Sequence, residues 1–256
     1  AARLPGPVGR ALADPVANPA SGASYLWLSG VEVSGSKAKK TVVMFGDSIT
    51  DGVGPAADSN GTWPDYLAQR FAEKRIHLGV SDAQISVHPL LRNIHKSQFG
   101  VAGLARFDTD VLAQSNVDSV IVALGINDIG QVGAGSPPEE FASAEAVIDA
   151  LGQLAERAHS RGLKIYVGTL MPFRDTTIKG YFSEDKEQIR QTVNTWIRSQ
   201  TVFDGVADFD KALEDPSIPG RMLALYDCGD HLHPSAEGNK AIAAAVPLDW
   251  FGSRKQ

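Results

Sequence analysis

From Thr41 onward the chain alternates short apolar runs with longer amphipathic stretches, and this alternation restricts the fold more than any other feature. Thr41 to Phe45, Gln84 to Val87, Val117 to Leu124, Leu163 to Leu170 and Gly205 to Asp208 read as five strands. Short runs of this kind, apolar throughout, suit strands buried on both faces. Between them lie stretches with helical spacing. One opens at Trp63-Pro64-Asp65, with proline in its first turn. Others cover Leu104 to Leu112, Pro137 to about Ser160, Glu184 to Gln200 and Ala236 to Ala245. Strands that alternate with helices pair in parallel, and right-handed crossovers lay the helices on both faces. The expected fold is therefore an α/β doubly wound, three-layer sandwich.

Residues 1–38 read differently. Gly, Pro, Ala and Ser dominate as far as Ser24, and Tyr25 to Leu28 and Val31 to Val33 are candidate short strands. The expectation is an N-terminal extension over 1–38, followed by one domain over 39–256. Because the chain starts at Ala1 rather than Met, a segment removed upstream is expected.

Composition removes several functional classes. A net charge of -6 argues against nucleic acid, whose phosphates need a basic face. Hydrophobic residues make up 43%, too many for a disordered chain. No apolar run reaches the ~20 residues of a membrane span. A single cysteine, Cys228, excludes an internal disulfide and a cysteine-based zinc site, and it reads as a small buried hydrophobe.

In open α/β sheets, ligands sit beyond the carboxyl ends of the strands. Gly46-Asp47-Ser48-Ile49-Thr50-Asp51-Gly52 follows the first strand, which makes Ser48 either a nucleophile or a turn-capping hydroxyl. Gly125-Ile126-Asn127-Asp128 follows the third, so Asn127 is either an oxyanion donor or an Asx-turn residue. Asp230 and His233 lie three apart in a loop before the last helix, a spacing that lets the carboxylate hold Nδ1–H and leaves Nε2 as a base. His231 and His233 also form an HxH pair, which keeps a metal site as the rival reading. Acyl transfer needs a nucleophile, a base, its orienter and oxyanion donors, and all four are present here. Met171-Pro172-Phe173 and Tyr181-Phe182 either line an acyl pocket or pack on the body.

These blocks, GDSITDG at 46–52, GIND at 125–128 and DHLHPSAEGNKAIA at 230–243, resemble those of the SGNH hydrolases, the GDSL esterase/lipase family. NGTWPDYLAQR at 60–70 and GLARFDTDVLAQ at 103–114 are similar to its secreted bacterial and fungal branch. The resemblance implies a flavodoxin-like sandwich with about five parallel strands, an extracytoplasmic setting, and no cofactor or metal. Ser48 would be the nucleophile and would also give its backbone N–H to the oxyanion hole. Asn127 would add a side-chain N–H, with His233 as base and Asp230 as its orienter. Apart from the resemblance, Asp47 and Phe173 are the candidate substrate contacts. The implied reaction is hydrolysis of short-chain acyl, aryl or carbohydrate esters, with no nucleic-acid partner. One block departs from the family. Where an Asn-x-Gly pattern supplies a third oxyanion amide, residues 88–97 contain no glycine, and Leu90 falls at its position. Leu90 is then the expected third donor through its backbone N–H, with Gly100 or Gly103 as substitutes. The same departure supports a second reading, a weakly active or non-catalytic glycan-binding module.

Overall fold

The computed structural model describes residues 37–38, 40–57, 59–93 and 101–252. The candidate strands at 25–28 and 31–33, and nearly all of the extension expected over 1–38, lie outside the described residues.

β1 (Lys40–Gly46) carries Val42, Val43, Met44 and Phe45, none of them exposed, because it runs through the middle of a sheet covered on both faces. It pairs in parallel with β2 (Leu78–Gln84) on one side and with β3 (Val117–Ala123) on the other. β4 (Lys164–Gly168) and β5 (Gly205–Ala207) extend the sheet beyond β3, giving the order β2-β1-β3-β4-β5. The winding therefore reverses between β1 and β3, and a crevice opens above their carboxyl ends.

β2 starts six residues and ends three residues before the expected Gln84 to Val87. Its sequence, LGVSDAQ, is interrupted by Ser81, Asp82 and Gln84 and only partly buried, as an edge strand tolerates. Val87 has φ of +66°, which ends any extended run there.

Helix ends follow local capping. α1 (Ser48–Asp51) is a single turn. α2 (Trp63–Glu73) starts with a reciprocal box between Thr62 and Asp65. α3 (Gly103–Phe107) continues as a wider turn over Asp108–Leu112. α4 (Ile126–Gly130) follows β3. α5 (Ala144–Ser160) starts at Ser143, whose hydroxyl accepts from the Ala146 amide, rather than at Pro137. The prolines make only a separate turn at Pro138–Glu140. α6 (Glu184–Ser199), α7 (Phe209–Leu213) and α8 (Ala236–Ala245) complete the chain. α2, α7 and α8 pack together, as do α3, α5 and α6, so two helical layers enclose the sheet. Among the described residues no helix is long and apolar enough to cross a membrane.

One fully buried amide ties the C-terminal loop to the rest of the fold. Asn239 accepts from the Trp63 amide at 2.9 Å and donates to the carbonyls of Pro234 and Ser235 at 3.2 and 3.0 Å. Stranding these buried groups in Asn239→Ala is expected to cost on the order of 3 kcal/mol of unfolding free energy in urea. A loss under about 0.5 kcal/mol would contradict the role given to this residue.

Candidate active site

β1 ends at Gly46, Asp47 caps α1, and Ser48 is the first residue of that helix. Asp47 Oδ1 accepts from the Ile49 amide at 3.1 Å. A side chain at Gly46 would collide with Thr50, so the turn can close only over glycine. The first amides of a helix have no partner within it. The Ser48 N–H accordingly meets no acceptor among the described residues.

The loop before α8 brings the other two groups. It is pinned as a narrow ribbon by the bridge between Asp227 and Pro234 and by the Cys228 amide donating to the His233 carbonyl at 3.0 Å. Asp230 Oδ1 accepts from the amides of Leu232 and His233 at 2.9 and 2.8 Å. Its Oδ2 lies 2.6 Å from His233 Nδ1, and His233 Nε2 lies 2.9 Å from Ser48 Oγ. Ser48 is 7% exposed and His233 is 8% exposed. Partial burial works against the Asp230 charge, but the His233 ring N–H and the two amides outweigh it and hold the carboxyl well below the usual range. A hydroxyl so placed can lose its proton to Nε2 while Asp230 fixes the tautomer that keeps Nε2 open.

The two histidines of the HxH pair do not converge on one point. His231 sits against Asp227, while both nitrogens of His233 are engaged by Asp230 and Ser48. Cys228 is exposed, not buried as expected, because it rides on this surface loop.

Asn127 enters from the next strand, in α4. Its Nδ2 donates to Asp47 Oδ2 at 3.1 Å and more weakly to the His88 carbonyl at 3.5 Å. Its Oδ1 accepts from the Tyr181 hydroxyl at 2.9 Å and from Gln131 Nε2 at 3.4 Å. Asp47 is 1% exposed and faces this amide, away from the surface. Phe173 is 0% exposed, packed edge-on against Tyr181 and Phe182 at 6.1 and 5.2 Å, and it too is removed from any surface contact.

The amide expected as third oxyanion donor is already committed. Leu90 N–H donates to Asp128 Oδ2 at 2.7 Å, and Leu91 N–H to Oδ1 at 2.8 Å. Gly103 N–H donates to the Pro89 carbonyl at 3.0 Å, and Gly100 lies outside the described residues. A carboxyl taken out of water gathers donors, and these two backbone amides join its own in meeting it.

Two further residues belong to the site, though the sequence marked neither for this part. Arg106 donates to the carbonyls of Ala83 and Gly46 at 2.9 and 2.8 Å and lies over the Phe45 ring at 4.2 Å, which braces the ends of β1 and β2 behind Ser48. The available signal was an arginine on the buried side of a short amphipathic helix. Tyr181, read as lining or packing, packs in the core and also holds Asn127.

Burial raises the carboxyls of Asp47 and Asp128 to about 6 each. Both bind a proton more tightly when folded than when unfolded, where the value is near 4. Their contribution to stability is therefore largest at low pH and is lost as pH rises from about 4 to about 6. Unfolding free energy measured across that interval should decline less steeply in Asp128→Asn than in the parent. Identical slopes would contradict burial of an ionisable group at this position.

The chain matches the GDSL-like Lipase/Acylhydrolase family over residues 44–241. A search of curated proteins gives no match. Similar solved structures include a carbohydrate acetylesterase from Sinorhizobium meliloti, with TM-score 0.60 and 16% identity, covering 81% of this chain and 96% of that one. An acetylxylan esterase from Geobacillus stearothermophilus has TM-score 0.59 and 20% identity, covering 85% and 96%. A GDSL-like lipase from Bacteroides thetaiotaomicron has TM-score 0.58 and 19% identity, covering 81% and 85%. At these identities the structures speak for the fold, while the family match spans well over half of the chain. The chain belongs to the GDSL-like lipase/acylhydrolase family and is a carboxylic ester hydrolase.

Proposed function

We propose that the protein hydrolyses short-chain acyl esters, including those of carbohydrates, through Ser48, His233 and Asp230. The observation that carries this reading is the unbroken series of contacts, 2.9 Å from Ser48 Oγ to His233 Nε2 and 2.6 Å from His233 Nδ1 to Asp230. Ser48 Oγ attacks the ester carbon and its proton passes to Nε2. The ionised Asp230 carboxylate stabilises the imidazolium that forms. The tetrahedral oxyanion accepts from the Ser48 N–H and from the Asn127 Nδ2 hydrogen that otherwise rests loosely on the His88 carbonyl. Collapse breaks the bond to the alcohol oxygen, which leaves with the proton from His233. Water then repeats the sequence on the acyl-enzyme, releasing a carboxylic acid and restoring Ser48.

The short-chain and carbohydrate parts of the reading both draw on the acetylesterases of similar fold. An assembled Ser–His–Asp series weighs against the reading as a non-catalytic glycan-binding module.

Ser48→Ala should reduce turnover of a short-chain aryl acetate by at least ~10³-fold with the fold intact. Retained turnover would sink the proposal. With the parent enzyme, kcat/KM for the acetate should exceed that for the octanoate by ~10-fold or more. An equal or reversed ratio would remove the short-chain assignment.

A further inference from the structure

Asn127 has an almost symmetric side chain, yet only one end of it serves an oxyanion. Rotated by half a turn, it would present Oδ1 to the developing negative charge and repel it. Something must hold the amide the right way round, and two buried neighbours of opposite character do so. Asp47 faces Nδ2 with an acceptor at 3.1 Å. Tyr181 faces Oδ1 with a hydroxyl at 2.9 Å. Gln131 adds a longer contact to the same oxygen at 3.4 Å.

Tyr181 is 0% exposed. Its ring lies so close over Gly130, at the end of α4, that a Cβ there would collide with it. The hydroxyl is thus set by packing against the very helix that carries Asn127. Burial, reinforced by the charges of Asp47, Asp128 and Asp230, keeps the phenol well above its ordinary range, so it remains a donor.

A lysine locks the two pieces of chain together. Lys186 Nζ donates to the carbonyls of Gly130 and Val132, at 2.9 and 2.6 Å, at and just beyond the end of α4. It also donates to those of Gly180 and Tyr181, at 2.6 and 3.2 Å. One ammonium group therefore clamps the Tyr181 turn to the Asn127 helix, and a cation suits the C-terminal carbonyls of a helix.

We propose that Tyr181 is a positioning residue for ester hydrolysis, fixing the orientation of the Asn127 amide, with Lys186 anchoring it. This rests on the reading of Asn127 as an oxyanion donor. The hydroxyl acts only through Asn127, so its effect belongs in kcat and vanishes when the amide is gone.

The test is a double-mutant cycle on an aryl acetate with Asn127→Ala, Tyr181→Phe and the pair, together with Lys186→Met, and with thermal unfolding of each. Tyr181→Phe is expected to lower kcat ~10-fold with KM within ~2-fold, since part of a single donor's 10²–10³ is lost. In the Asn127→Ala background the same change should have no further effect on kcat. Lys186→Met should lower kcat in the same direction. If Asn127→Ala lowers kcat and Tyr181→Phe does not, the proposal fails while the oxyanion reading stands. Equal effects of Tyr181→Phe in both backgrounds would mark Tyr181 as merely structural and overturn the proposal. An unchanged kcat in Asn127→Ala would remove the oxyanion reading, and the proposal with it.

Discussion

Between β1 and β3 the connections leave the sheet in opposite directions, so no crossover closes the space above their carboxyl ends. Ser48 and Asn127 each lie within four residues of those ends and so face one crevice, although 79 positions separate them. The third component cannot come from the sheet. It arrives on the loop before α8, which Asn239 ties to the start of α2 and the bridge between Asp227 and Pro234 keeps narrow. Parallel pairing thus fixes two members of the site, and one buried amide with one short ribbon fixes the rest.

Three carboxyls surround this point, and their environments push them apart. Asp230, half-buried, takes an imidazole N–H and two amides and stays ionised. Asp47 and Asp128 lie behind Asn127, and burial keeps their protons on up to about 6. Asp47 orients an amide, and Asp128 gathers Leu90 and Leu91. The price of burying them is a molecule whose inner carboxyls favour low pH.

Much of this was legible in the sequence where a local pattern carries the information. β1 and β3 are central and apolar throughout, and α8 follows a serine cap, so their bounds fall within a residue or two of expectation. β2 was misplaced because an edge strand needs one apolar face only, and LGVSDAQ hides that face behind Ser81 and Asp82. The start of α5 was misplaced because Pro137 and Pro138 look like a helix entry, whereas Ser143 supplies the cap. What could not be read are contacts between distant segments. Phe173 and Tyr181 are aromatic residues after a strand, and nothing nearby tells a lining ring from a buried one. Leu90 meets Asp128 across 38 positions, and no local pattern announces that an amide is already taken.

The central claim is that His233 makes Ser48 nucleophilic. It is met most directly by a fluorophosphonate probe, with the modified residue located by mass spectrometry of the digested protein. One adduct on Ser48, lost on prior unfolding and strongly slowed in His233→Ala, is the expected result. A folded protein that stays unlabelled, or that carries the adduct on another residue, would contradict the account.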